Sequence, residues 1–182
     1  MQEITIFAQI FRIPEIGDRR FPILLLTDMM DKAKIEELVK EKLDEKTFLV
    51  DVQVSASNAI KVFVDSFDGF TIDRCVEISR HVEHSLDRDS EDFELQVSSP
   101  GLTESFKVKE QYLKNVGREV EIVTTEGTKS TGLLKEAKPG FILLETSARE
   151  KVEGHKKKQL IVREHQIEYS DIKSAKVVVS FK

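Results

Sequence analysis

The sequence predicts an α+β protein in two parts: an N-terminal α/β domain with a three-stranded sheet and two helices, then a small SH3-like or Sm-like β-barrel. Three observations predict it. Two stretches, Asp31 to about Asp44 and Thr71 to Leu86, carry apolar residues at helical spacing. Three others, 48–54, 60–65 and 93–98, alternate apolar and polar residues as half-buried strands do. After Gly101 come short alternating segments divided by turn residues, which suit a barrel because closure leaves no exposed edge.

Residues 1–29 have no clean period and read as an N-terminal extension broken by Pro14, Gly17 and Pro22. Met29 and Met30 stand directly before the first helix, so translation starting there would leave 1–28 upstream. The other reading is an arm that docks Ile4, Ile6, Phe7, Ile10, Phe11 and Ile13.

The first domain spans 30–99. Asp31 caps its first helix, whose apolar positions are Ile35, Leu38, Val39 and Leu43. Phe48, Val50, Val52 and Val54 then form one strand face. Ile60, Val62 and Val64 form the matching face of a partner strand across a Ser55–Asn58 hairpin loop. Asp68-Gly69 turns the chain. A second helix, starting at Thr71 or Asp73, has the inward stripe Ile72, Cys75, Val76, Ser79, Val82 and Leu86. Phe93, Leu95 and Val97 close the sheet. Pro100 lacks an amide hydrogen and Gly101 tolerates positive φ, so the strand ends in a turn.

Residues 100–107 are the linker and 108–182 the barrel domain. A short helix at 108–116 precedes strands around Val120 and Ile122, Thr131–Ala137 (bent at Gly132), Phe141–Thr146, Leu160–Tyr169 and Ala175–Phe181. A charged insertion separates the third and fourth strands. A tight turn at 169–172 precedes the fifth.

The 182 residues are 40% hydrophobic and 34% charged, which fits a core-forming protein and excludes a disordered one. The net charge of -5 excludes nonspecific gripping of nucleic acid over the whole surface, so any such contact is a local patch. A lone Cys75 excludes an intrachain disulfide and fits a reducing compartment. No run approaches the roughly 20 apolar residues of a membrane helix, and residues 1–29 lack a secretory signal's charge order and cleavage site.

Three anchors in order give the chain a resemblance to a known family. The first is Val62-Phe63-Val64-Asp65, Asp68-Gly69 and the helix Thr71-Ile72-Asp73-Arg74-Cys75-Val76-Glu77-Ile78-Ser79-Arg80. The second is Leu95-Gln96-Val97-Ser98-Ser99-Pro100-Gly101-Leu102, and the third Tyr169-Ser170-Asp171-Ile172-Lys173-Ser174-Ala175-Lys176. Over 31–182 these resemble the ribosome maturation factor RimP family, in the flavour of its Bacteroidetes-type members. Departures are Gln96 where Glu is common and Thr103-Glu104-Ser105 where many members have an Asp-Arg-Pro-like run. The resemblance implies an α/β domain followed by a small barrel. It also implies a non-enzymatic, cytoplasmic factor, without cofactor, that binds the immature small (30S) ribosomal subunit through rRNA and a basic ribosomal protein.

The strongest basic cluster is Lys156-Lys157-Lys158, flanked by Lys151, His155 and Arg163. In a barrel loop it can straddle rRNA phosphates and release counterions; as a merely solvated loop it would aid solubility. Acidic patches at Glu36-Glu37, Asp44-Glu45 and Asp87 to Asp92 suit a basic ribosomal protein, or are ordinary helix ends and loops. Ser98, Ser99, Pro100 and Gly101 read as the interdomain hinge; they lack the G-x-S-x-G form of a nucleophile. Glu77, His81 and His84 have metal-compatible spacing but read as exposed polar residues, and Cys75 as a buried, inert thiol. Asp65 and Asp68 flank a turn, which explains them more simply than a divalent cation. With no catalytic constellation, the competing reading is a generic RNA- or protein-binding module.

Overall fold

The computed structural model describes residues 31–86, 92–150 and 158–179. The 1–29 extension and the candidate starts at Met29 and Met30 lie outside the described residues.

The first half runs α1 (Lys32–Lys40), β1 (Thr47–Val54), β2 (Ala59–Ser66), α2 (Ile72–Ser85) and β3 (Glu94–Ser98). Asp31 caps α1, its carboxylate accepting from the Ala33 amide at 3.0 Å. The helix ends before the predicted Asp44 because Asp44 builds a turn of its own. Its carboxylate accepts from the Lys46 and Thr47 amides and from the Thr47 hydroxyl. Sheet order is β1-β2-β3, with β1 and β2 antiparallel and β2 and β3 parallel. The α2 crossover is what the parallel pair requires.

Alternation predicts that Phe48, Val50, Val52 and Val54 share a face, and the structure departs from this. A bulge at Val50, between Leu49 and Asp51, adds one residue to β1. Leu49, Val52 and Val54 therefore meet the helices, together with Ile60, Val62 and Val64. Phe48 and Val50 are buried on the opposite face, Phe48 against Phe67 and Val50 near Phe63.

The inward stripe of α2 is also rotated. Ile78, Val82 and Leu86 are buried, Cys75 and Ser79 half-buried, and Ile72 and Val76 exposed. Arg74 and His81 anchor one flank of α2 to the end of α1, through the Lys42 carbonyl, Asp44 and Glu41. That rotation turns Ile78 inward and Ile72 outward.

The second half runs α3 (Lys109–Lys114), β4 (Glu119–Thr124), β5 (Lys129–Ala137), β6 (Phe141–Glu150), β7 (Gln159–Glu168), a 3₁₀ turn at Tyr169–Asp171 and β8 (Ile172–Val177). The strands form one antiparallel sheet ordered β7-β6-β5-β4-β8. Five strands and the turn before the last agree with the expected barrel. Among the described residues, however, no ladder joins β7 to β8, so the sheet is open. Its core is Val120, Ile122, Leu134, Ile142, Leu144 and Ala175, with Tyr112 of α3.

Strand boundaries differ from expectation in several places, among them the start of β5 at Lys129 rather than Thr131. The last strand starts at Ile172 rather than Ala175, directly after the turn, and ends at Val177 rather than Phe181. The third strand runs past Thr146 and the fourth starts one residue earlier than Leu160: β6 and β7 stay paired out to Glu150 opposite Gln159, because the backbone ladder continues past the core.

Gly132 shapes this sheet. A Cβ there would stand 2.3 Å from the Glu145 carbonyl oxygen on β6, closer than atoms can approach. Gly132→Ala should therefore force β5 and β6 apart and cost about 1–3 kcal/mol. Urea unfolding followed by circular dichroism measures this; an unchanged midpoint would show that the strands yield freely.

Candidate nucleic-acid interface

β6 and β7 leave the core together. Leu144, opposite His165, is the last buried residue on β6, and the ladder then continues from Thr146 opposite Arg163 to Glu150 opposite Gln159. Paired residues share a face. Thr146, Ala148, Ile161 and Arg163 thus extend the core face, while Ser147, Arg149, Leu160 and Val162 form the outer one. The Thr146 hydroxyl donates to the Arg163 carbonyl at 3.4 Å and lies 3.0 Å from His165 Nε2. Leu160 and Val162 are exposed.

Of the predicted phosphate-binding residues, Lys158 and Arg163 are described and both are exposed. Lys151, Lys156 and Lys157 lie outside the described residues, as does His155. Lys158 stands just before β7 and Arg163 about 17 Å further along an extended strand. Sequence reading does not single out Arg149, an exposed residue opposite Leu160. Its signal was the alternation of 147–149, hidden when the strand is ended at Thr146.

The predicted hinge lies at the junction of the two halves. Ser98 ends β3, Ser99 and Gly101 are exposed, and Pro100 is half-buried. Gly101 is not left-handed, unlike Gly69, Gly117 and Gly127; the turn comes one step later, where the Glu104 amide donates to the Gly101 carbonyl at 3.0 Å. Cavities of about 170 and 180 Å³ flank this turn, and both are lined by Pro100 and Glu104. Phe106 then donates its amide to the Ala175 carbonyl at 2.7 Å and packs edge-on against Tyr112, which meets Tyr169 in the same way. Burial, with the neighbouring Tyr169, pushes the Tyr112 phenol up to about 12.

Charge pairs cross the junction. Lys114 Nζ lies 2.6 Å from Asp65 Oδ1, with Asp65 only 7% exposed. Lys107 Nζ lies 2.6 Å from Asp51 Oδ2 and stacks over the Phe63 ring at 5.8 Å. The Gln111 side-chain oxygen accepts from the Lys107 and Val108 amides, fixing the start of α3. The linker is therefore cross-tied to both halves.

The remaining candidates have local partners. Glu77 pairs with Arg74, His81 Nε2 lies 3.0 Å from Glu41, and His84 Nδ1 meets the Arg80 carbonyl. Among the described residues no three His, Cys, Asp or Glu gather as a metal site. Cys75 is half-buried, and burial pushes its thiol up. Asp68 pairs with Lys46. Of the acidic patches, Glu37 and Glu45 are exposed, Asp44 is bound in its turn, and 87–91 lie outside the described residues.

Comparison with known proteins adds the following. A family model described as the RimP N-terminal domain matches residues 30–103. A ribosome maturation factor RimP of Porphyromonas gingivalis is 41% identical over 148 residues, covering 81% of this chain and 97% of that protein. The proteins of the same name from Christiangramia forsetii and Flavobacterium psychrophilum are each 36% identical, over 84% of this chain and all of theirs.

Asp51 gives the junction a pH dependence. Burial pushes its carboxyl up, but hydrogen bonds from Lys107 and Gln53 and the charges of Lys107 and Lys32 outweigh this and hold it below the usual range. A depressed carboxylate stabilises fully above its unfolded value near 4 and stops doing so as pH falls through its folded value. Asp51→Asn should lower the thermal midpoint at about pH 7 and converge with the parent once the pH is acid enough to protonate Asp51 in the folded protein. A gap that persists at the lower pH would mean that the substitution disturbs packing rather than charge.

Proposed function

The chain belongs to the ribosome maturation factor RimP family, and from that premise we propose that it is a non-catalytic factor that binds the immature small (30S) ribosomal subunit and assists its assembly. The observation that carries this is identity of 41% across 97% of a named maturation factor, which spans both halves of the chain. The work takes place in the cytoplasm. Among the described residues no helix is long and apolar enough to cross a membrane.

The proposed division is a domain at 30–99, a linker at 100–107 and a domain at 108–182. Strand order, the turn before β8 and the close approach at Gly132 support curling of the second domain into an SH3-like or Sm-like barrel. Its β6–β7 hairpin is the arm toward rRNA. Lys151, Lys156, Lys157, Lys158 and Arg163 contact phosphates, and Arg149 adds a cation on the hairpin's outer face. Each contact releases counterions rather than reading sequence. Ser98, Ser99, Pro100 and Gly101 set the angle between the domains, and acidic surface on the first domain meets a basic ribosomal protein. No small-molecule substrate or cofactor enters this role.

Sucrose-gradient sedimentation of cell lysate at low and moderate salt tests the proposal. Comigration with free small subunits but not with whole ribosomes is expected. Reversing Lys156, Lys157 and Lys158 to Glu should weaken that binding and reduce its salt slope by up to about 3. Protein found only at the top of the gradient, even at low salt, would instead describe a generic binding module.

A further inference from the structure

The junction cavity of about 170 Å³ is lined from both halves, by Asp65 of β2 and by Gln111 and Lys114 of α3. Asp65 is 7% exposed and Gln111 5%. Each has one polar end engaged and one left over. Asp65 Oδ1 accepts from the Lys114 ammonium at 2.6 Å and from the Ser66 amide at 2.9 Å, and no described residue bonds Oδ2. Gln111 Oε1 accepts from the Lys107 and Val108 amides, which fixes that end of the side chain as oxygen. Its Nε2 then points the other way, and no described residue accepts from it.

These two atoms face open space. Among the described residues, Asn58 Oδ1 is the side-chain atom that is both sealed from it and without a hydrogen bond. The cavity is the space that Asp65 and Gln111 both line. Lys114 adds donors, since its ammonium carries three N–H groups and one is bound to Asp65. Asn115, also buried here, has both ends of its amide engaged, with the Gln111 carbonyl and with Arg118. A buried carboxylate oxygen and a buried amide nitrogen that both meet a cavity call for a hydrogen-bonding guest.

The lining selects that guest. Its acids, Asp65 and Glu104, match its bases, Lys114 and Arg118, which suits a neutral molecule better than an ion. Phe70, Pro100 and Phe106 give it apolar walls. A cavity of about 150 Å³ accepts benzene, so this one takes a single ring. The buried side chains offer that ring one free acceptor and at least two donors. A neutral ring with one donor group and two acceptors is a pyrimidine base. Uracil presents N3–H between two carbonyls, and cytosine an amine beside N3 and O2. Guanine brings two donors and one acceptor, adenine one of each, and both are double rings. We propose that this cavity binds one pyrimidine base, carried by a free nucleoside or turned out of single-stranded RNA. The donor of the base bonds Asp65 Oδ2, and its acceptors take Gln111 Nε2 and Lys114. A base so held touches both halves of the chain. The site is separate from the β6–β7 hairpin and does not rest on the ribosomal role.

The test follows the Gln111 side-chain amide of the full, ¹⁵N-labelled chain by NMR during titration with uridine, with guanosine as the control. Uridine should shift both side-chain amide protons saturably, and guanosine should require at least about tenfold more. Gln111→Glu keeps an oxygen for the Lys107 and Val108 amides and removes the donor. Uridine should bind this variant about tenfold more weakly, read at the Asn115 backbone amide. Ser99→Phe, a change at an exposed lining position, should block the cavity and abolish binding with the rest of the spectrum preserved. Hexauridylate identifies the source of the base. Saturation at a concentration at least about tenfold below that of uridine assigns the site to RNA, and no such gain assigns it to the free nucleoside. A Gln111 side chain unmoved by both uridine and hexauridylate, or an equal response to guanosine, would overturn the proposal. Undiminished binding by Ser99→Phe would overturn it too.

Discussion

The ion pair between Asp65 and Lys114 is the constraint on which the arrangement of this molecule depends. Asp65 belongs to β2, the central strand of the first sheet, and Lys114 closes α3, which covers the core of the second through Tyr112. The pair therefore joins two cores, not two loops. Both groups are largely removed from water, at 11% and 20% side-chain exposure. Once removed, each needs the other, since an uncompensated buried charge costs several kcal/mol. Asp51 and Lys107 repeat the motif nearer the surface, where solvent weakens it.

This constraint gives each sheet face a task. The bulge at Val50 sends Leu49, Val52 and Val54 to the helices and leaves Phe48, Val50 and Phe63 on the face that also carries Asp51 and Asp65. A regular β1 would have kept Phe48 on the helix side with Val52. The polar groups buried at the junction, Asp65, Gln111 and Asn115, are each hydrogen-bonded, as the interior of a fixed joint requires.

Much of the fold was legible in the sequence because it rests on local patterns. Asp31 and Thr71 announce their helices, alternation announces every strand, and Pro139-Gly140 and Gly127 mark turns. Gly132 read as a bend, and the reason is a neighbouring strand's carbonyl. What escaped was set by contacts distant in sequence. Alternation does not reveal a bulge whose register is defined by β2. The α2 stripe was misjudged because Ile72 and Val76 keep helical spacing while Arg74 and His81, bonding to α1, decide the rotation. Nothing in 65 or 114 taken singly announces their pairing. The basic cluster was visible as composition, yet only the ladder shows Arg149 and Arg163 on opposite faces of one hairpin.

A distance measurement between the halves tests the central constraint most directly. Spin labels on Glu37→Cys and Glu126→Cys, both exposed, in a Cys75→Ser background, report the separation of the two sheets by pulsed electron resonance. One narrow distribution is expected, broadening when Lys114→Met removes the cation that holds Asp65. A broad distribution already present in the parent, or a narrow one that survives Lys114→Met unchanged, would contradict the ion pair as the element that fixes the joint.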